Sequence, residues 1–376
     1  MKKTLVILVV IVLIWTIWAN SGKSVDDYST EANLEVIETI ESGDSTGRNI
    51  VGIQPYMVPT DYLTPALFRA KLNAYFKAAS DKGFFQEGTV VLLPEYIGTW
   101  LAIIDEKTAV AEAGTLNEAM ATLLISNPFA AGQHMFIGQN ESELVAPALF
   151  RMKANQMAQV YQEVFSSLAK TYQVTIVAGS IVLPEATIVD HQIVVNLRAP
   201  LYNRSFVFLP DGKVHPHVIK KVYPISSEQG FTRSAPVEEL QEFELPIGHT
   251  SVLICADSWY PNAYATISQV QPEILLVPSY CAGNGTMDTN WKGYDGASMP
   301  ADVPEAAIGS MTEQQAWINY ALPGRIAQSG ATYGMNVFLR GELWDLGTDG
   351  EPFLVANGQL IPITPTEKGG IWNLTF

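Results

Sequence analysis

Three apolar runs in this sequence end in residues that can do chemistry. Val252-Leu253-Ile254 leads into Cys255, with Ala256, Asp257 and Trp259 behind it and a helical stretch beyond. Leu92-Leu93 is stopped by Pro94 and followed at once by Glu95 and Tyr96. Val218-Ile219 precedes the pair Lys220-Lys221, with Pro224 and Glu228 further along. Each is ordinary by itself: a cysteine at a strand end is most often a small core residue, a loop glutamate is most often solvated, and paired lysines make a charged turn. Together they supply the parts of acyl transfer. Cleaving an amide needs a nucleophile, a group that shuttles protons, and positive charge where the carbonyl oxygen becomes negative. A free thiol with a pKa near ~8.5 is mostly protonated at neutral pH, and a helix start with a nearby ammonium would favour the thiolate. A glutamate serving as base and then acid needs its pKa raised by burial or hydrogen bonding.

Strands and helices alternate along the chain and place these ends. Asn49–Gln54 is a short apolar run stopped by Pro55, and 63–79 carries Phe68, Leu72, Tyr75, Phe76 and Ala79 at helical spacing. Thr89–Leu93, 174–179, 191–196 and 205–209 read as strands, with a long helix over 145–170 and a turn at Pro210-Asp211-Gly212. Residues 251–254, a helix near 260–271 and 274–277 make a strand-helix-strand unit. A helix over 313–328, in which Pro323 should introduce a kink, leads to a strand over 333–339. No repeat is visible, and no Pro/Gly/Ser-rich linker divides the chain after residue 50, so the pattern predicts one layered α/β domain.

The order of the motifs carries a resemblance. Pro94-Glu95, then Asn203 through Asp211-Gly212 to Lys221-x-x-Pro224 and Glu228, then Ile254-Cys255-x-Asp257 with Pro261, then Pro278-Ser279, resembles the nitrilase, or carbon–nitrogen hydrolase, superfamily over roughly residues 49–355. Arg325 to Gly330 and Leu346 to Gly350 are similar to that family's C-terminal pattern. The resemblance implies a four-layer αββα sandwich and an active trio of Glu95, Lys221 and Cys255. Glu95 would act as the proton shuttle, and Lys221 with the backbone N–H of Ala256 would hold the oxyanion. Glu228 resembles a second carboxylate of the family, one that orients the lysine or the attacking water. The family's pattern of a proline three residues on implies Lys221, whereas several members' glutamate eight residues on implies Lys220; alternation on an extended segment lets only one enter the site, and Lys221 is preferred. The resemblance also implies a homodimer paired through outer-layer helices.

Other residues are weighed against this trio. Tyr96, Trp259 and Cys281 are candidate pocket residues, and a disulfide between Cys255 and Cys281 would silence the nucleophile. His215-Pro216-His217 lacks a third ligand nearby and reads as a surface loop, while His249 lies before its strand, at the opposite end from Cys255. No glycine-rich phosphate loop or metal cluster appears, so no cofactor is expected. The stretch 96–144, with Trp100, Leu123 and Phe129, is either a covering of the core or an apolar lid admitting a lipid-like amide, and 282–304 should form another pocket wall.

Composition excludes several classes. Hydrophobic residues make up 48% and charged ones 16%, which rules out disorder and coiled coil. Lys2, Lys3 and Lys23 are the only charges before residue 24, leaving 19 basic and 38 acidic side chains over 24–376 and a formal charge of −19. Such a body repels phosphate backbones, so nucleic acid is not an expected partner. Thr4–Ala19 is uncharged and apolar, with Trp15 and Trp18 near its far end. Residues 1–22 therefore read as a membrane anchor, favoured over a removed signal peptide because the small-x-small site at Ala19 to Ser21 has a polar middle and follows bulky Trp18. The flanking lysines place the rest of the chain outside the cytoplasm. Residues 23–48 read as an acidic tether and 49–376 as the catalytic domain. Three functions remain open: a membrane-tethered amidase-type hydrolase working through a cysteine thioester, an N-acyltransferase passing the same thioester to an amine, and a non-catalytic tethered scaffold. Nitrile hydrolysis is open to the same trio.

Overall fold

Asn49–Gln54 and Ile274–Ser279 are buried at every position, a burial that needs cover on both faces of a strand. The computed structural model describes residues 2–23, 28–43, 47–137 and 142–376 and shows how that cover is built. Following α1 (Lys2–Asn20), the first half of the chain supplies β1 (Leu34–Glu41), β2 (Asn49–Gln54), α2 (Pro65–Asp81), β3 (Val90–Leu92), α3 (Leu116–Ser126), α4 (Pro128–Met135) and α5 (Val145–Tyr172). Strands β4 (Thr175–Val177), β5 (Ile181–Pro184), β6 (Leu201–Ser205), β7 (Val207–Phe208) and β8 (Ile219–Lys220) follow. The second half brings β9 (Glu242–Leu245), β10 (Gly248–Val252), α6 (Pro261–Ile267), β11 (Ile274–Ser279), α7 (Glu313–Tyr320), β12 (Tyr333–Phe338), β13 (Phe353–Ala356), β14 (Gln359–Ile361) and β15 (Gly369–Thr375).

Two six-stranded sheets result, ordered β1-β15-β2-β3-β4-β7 and β9-β10-β11-β12-β13-β14. Strand alternation divides the apolar side chains between layers. Val51, Ile53, Val91 and Ile176 face Leu72 and Phe76 of α2 and Tyr161 and Phe165 of α5. Ile50, Val90, Leu92 and Val177 face the other way, onto Ile274, Leu276, Met335 and Val337 of the second sheet. Leu253, Leu275 and Val277 then turn outward to Ala263, Tyr264 and Ile267 of α6. Helices, sheet, sheet and helices form the four-layer αββα sandwich.

Two expectations are corrected. Within the span read as tether, Leu34–Glu41 forms an edge strand paired parallel to β15, with Ile37 opposite Ile371. Its β-branched Val36, Ile37, Thr39 and Ile40 suit a strand, and an edge position leaves room for charges: Glu38 accepts hydrogen bonds from Thr364, and Glu35 from Thr366. Residues 24–27 and 44–46 of the tether lie outside the described residues. The helix expected over 313–328 is broken rather than kinked, since Ala321 takes extended dihedrals and a new turn starts at Leu322-Pro323.

Helix α1 is the one described helix long and apolar enough to cross a membrane, with a mean hydropathy of 2.1 over Lys3–Asn20. At about 1.5 Å per residue its 19 residues reach about 29 Å. Its end leans on the 96–144 stretch: the Trp15 indole N–H donates to the Ile125 carbonyl at 2.9 Å, and Lys107 sits 3.5 Å over the Trp18 ring.

Gly179 marks where this architecture is least tolerant near the Glu95 strand end. Its φ is +62°, and an added Cβ would lie 2.0 Å from the Pro94 carbonyl oxygen. Gly179→Ala is expected to lower the melting temperature, with a cost of about 1–3 kcal/mol for the strained backbone alone. An unchanged thermal unfolding curve would show that this crossing is looser than the geometry implies.

Candidate active site

The carboxyl ends of β3 and β10 and the chain after β8 converge on one buried cluster. After β10 the backbone turns abruptly: Cys255 has φ +49° and opens a short 3-10 turn through Trp259. A non-glycine residue in that left-handed region is strained, and here the strain presents the sulfur at the end of the sheet. The first bond inside the turn runs from the Asp257 N–H to the Ile254 carbonyl, which leaves the Ala256 N–H ahead of the ladder. On the neighbouring strand end, Tyr96 also has positive φ, at +63°, directly after Glu95.

Lys221 lies between two carboxylates. Its Nζ is 2.8 Å from Glu95 Oε1 and 2.5 Å from Glu228 Oε2, with all three residues no more than 2% exposed. The Asn203 amide bridges the same carboxylates, donating at 2.7 Å to Glu95 and 3.1 Å to Glu228. Glu228 also accepts from the Tyr96 hydroxyl and, at 2.9 Å, from the Ile225 N–H. The Cys255 thiol donates to the Tyr280 carbonyl at 3.6 Å, and Glu95 and Lys221 lie near enough to act on its acidity. Lys220 points the other way, to Glu185 and Glu239 at the surface. Its neighbour's backbone explains the split: the Lys221 N–H donates to the Asn203 carbonyl at 2.9 Å, and alternation sends the two side chains to opposite faces.

The environments push the two carboxylates apart. Burial raises Glu95, only partly offset by Lys221. Burial acts on Glu228 too, but Lys221, Tyr96 and the Ile225 N–H outweigh it and hold Glu228 below the ordinary range. Burial would lower Lys221, yet Glu228 and Glu95 keep it firmly protonated. Burial, reinforced by Glu95, drives the Cys255 thiol well above its free value despite Lys221. The thiolate expected from a helix start and an ammonium is therefore not the resting form: desolvation wins, and the sulfur keeps its proton.

Cys255 opens onto a cavity of about 250 Å³. Trp259 and Cys281 line it, as do Trp291 and Tyr294 of the 282–304 stretch. Tyr96 stands outside that lining, with its hydroxyl engaged by Glu228. No described residue of the 96–144 stretch lines it; Leu123 and Ala131 pack on Leu149 of α5 instead. Both cysteines are free. His249 lies at the start of β10, beside Glu242, and the His215 and His217 rings pack on Phe243.

The pattern of the carbon-nitrogen hydrolase family matches residues 70–294. The chain belongs to the carbon-nitrogen hydrolase family. Solved structures of the nitrilase superfamily share its fold. An amidase from Nesterenkonia sp. superposes with a TM-score of 0.50 at 16% identity, covering 89% of this chain and 93% of its own. A cysteine-to-alanine mutant of the Nesterenkonia AN1 amidase gives 0.51 at 15%, covering 88% and 90%. A glutamate mutant of the same amidase, with the acetamide moiety of fluoroacetamide added covalently at the active-site cysteine, gives 0.50 at 15%, covering 89% and 92%. No curated protein sequence matches the chain.

Some residues that shape this hydrolase's site were given no role by sequence reasoning. Asp257 accepts the N–H groups of Val222 at 2.9 Å, Tyr223 at 2.7 Å and Ile254 at 3.2 Å, fastening the lysine segment to the cysteine turn. Arg325 pairs with Asp302 and donates to the Tyr294 hydroxyl, which in turn donates to the Trp259 carbonyl and holds the cavity wall. Asp257 and Asn203 stood within the motifs, but only a folded chain shows what they touch.

Lys221→Met and Lys220→Met should behave differently. The first leaves two buried carboxylates facing each other and is expected to destabilise the protein by about 3–5 kcal/mol at pH 7. Without the ammonium both folded-state carboxyl pKa values lie above their unfolded values, so stability is retained at low pH and lost as pH rises through the folded values. Urea unfolding at pH 5 and 7 should thus show a deficit that grows with pH. Lys220→Met breaks only partly exposed pairs and should cost under about 1 kcal/mol. Equal deficits for the two variants would contradict the buried cluster.

Proposed function

We propose that this protein is a membrane-tethered, amidase-type hydrolase of non-peptide carbon–nitrogen bonds that works through a thioester on Cys255. The observation that carries the proposal is the buried Glu95–Lys221–Glu228 cluster holding its charges against the Cys255 thiol at the mouth of a cavity. Each group has a task suited to its environment.

Glu95, with its raised pKa, takes the thiol proton as the sulfur attacks the amide carbon. The new C–S bond converts the carbonyl to a tetrahedral oxyanion, which Lys221 and the Ala256 N–H stabilise. As the C–N bond breaks, Glu95 returns its proton to the leaving amine. A water then attacks the thioester, again losing its proton to Glu95; that proton passes to the departing sulfur, and the carboxylic acid is released. Glu228 stays ionised throughout and keeps Lys221 charged and in place. Asp257 is a positioning residue, since it acts only through the backbone of the lysine and cysteine segments.

The N-terminal helix supports the tethering. Its length approaches the hydrocarbon core, and its C-terminal end meets the body where Phe129 is 76% and Ile125 55% exposed, next to Trp15. Lysines at the other end favour an orientation with residues 23–376 outside the cytoplasm. Residues 34–376 would then form the catalytic domain.

Incubating the full chain in detergent with a panel of small amides, with and without hydroxylamine, should reveal an acyl adduct on Cys255 by mass spectrometry. Cys255→Ala should lose turnover by several orders of magnitude, as nucleophile removal does elsewhere. An adduct stable in water but discharged by amines would instead identify an acyltransferase. Full amidase activity in Cys255→Ala would end the thioester mechanism.

Anchoring is measured separately. After alkaline carbonate extraction of cells expressing the whole chain, the protein should remain in the membrane pellet and be degraded by protease added to the outer face. Quantitative release into the supernatant would show that the first helix does not span.

A further inference from the structure

The cavity beside Cys255 has an unusual lining. Trp259 and Trp291 stack with centroids 6.0 Å apart, Trp317 stands nearly perpendicular to Trp259 at 4.9 Å, and Tyr294 meets both Trp259 and Trp291 edge-on at 5.7 Å. Indole and phenol rings thus supply much of the wall, and an aromatic ring carries the negative part of its quadrupole on its faces. Glu313, the first residue of α7, and Asp295 add carboxylates to the same lining, and among the described residues no lysine, arginine or histidine belongs to it. Asp295 accepts from the Ser226 hydroxyl. Glu313 lies beside the Trp317 indole, and among the described residues no cation pairs with it; Lys292 is exposed and acts only at longer range.

An acidic group half-buried among indoles is costly to keep ionised unless a positive charge joins it. Burial does push Glu313 up to about 7. An anionic acyl group would meet two carboxylates and the aromatic wall together, whereas a neutral chain would leave the half-buried Glu313 uncompensated; Asp295 is exposed and keeps its Ser226 hydrogen bond. An ammonium group satisfies both elements of the wall, and desolvated cation–π contact adds to the ion pair. The formal charge of −19 on residues 24–376 also draws cations toward the molecule.

We propose that this cavity selects amides carrying an alkylammonium or trimethylammonium group a few bonds from the scissile carbonyl, with Glu313 and the Trp259, Trp291 and Trp317 walls binding that charge. The proposal rests on Cys255 being the nucleophile only for the direction in which the carbonyl faces. The charge site itself is independent of turnover.

Two amides of the same shape test it: 4-(trimethylammonio)butyramide and its neutral isostere 5,5-dimethylhexanamide. Binding to full-length Cys255→Ala in detergent, read by quenching of tryptophan fluorescence, should favour the cationic amide by about tenfold. Adding Glu313→Gln to that chain should bring the ratio toward one. Equal or tighter binding of the neutral amide overturns the proposal, as does failure of both amides to bind or a ratio that Glu313→Gln leaves untouched. Turnover by the chain with Cys255 intact separates the two ideas. Hydrolysis confined to the neutral amide would reject the charge site and leave the hydrolase standing; preferential binding of the cation with neither hydrolysis nor a Cys255 adduct would do the reverse.

Discussion

A lysine held out of water between two carboxylates is the constraint on which the rest of this site depends. Three ionisable groups at no more than 2% exposure are tolerable only while each meets opposite charge or a hydrogen-bond donor. Asn203, Tyr96 and the Ile225 N–H supply those partners, and Asp257 locks together the backbones that carry the lysine and the cysteine. The same desolvation that makes the cluster costly raises Glu95 and keeps the Cys255 sulfur protonated at rest, while Lys221, Tyr96 and the Ile225 N–H pull Glu228 the other way. Chemistry and structural risk thus have one origin.

The sandwich is what makes that burial feasible. Central strands covered on both faces end at a common edge, where their last residues are shielded by neighbouring loops rather than by water. Cys255 and Tyr96 leave their strands at that edge by left-handed backbone, and Glu95 beside the close crossing at Gly179. A rigid scaffold holds the groups within hydrogen-bond reach, while the 282–304 stretch and α7 supply an aromatic wall that the central strands could not.

Much of this was legible in residues alone, for identifiable reasons. Two-face burial makes β2 and β11 continuous apolar runs, and helical periodicity marked α2 and α5. β1 was hidden because an edge strand carries charges on its open side, so Leu34–Glu41 resembled a solvated tether. The choice between Lys220 and Lys221 could be framed by alternation, but two spacing rules pointed in opposite directions. The thiolate was expected because sequence shows neighbouring charge and not the depth of burial.

Sequence alone therefore determined the classes of group available, the order in which strand ends present them, and the apolar N-terminal segment, since these follow from local pattern and covalent spacing. Tertiary structure decided which lysine faces the carboxylates, which carboxylate is the more basic, and that Trp259, Trp291, Trp317 and Glu313 share one cavity. Those outcomes depend on desolvation and on contacts between residues far apart in the chain, and neither quantity is contained in the spacing of residues along it.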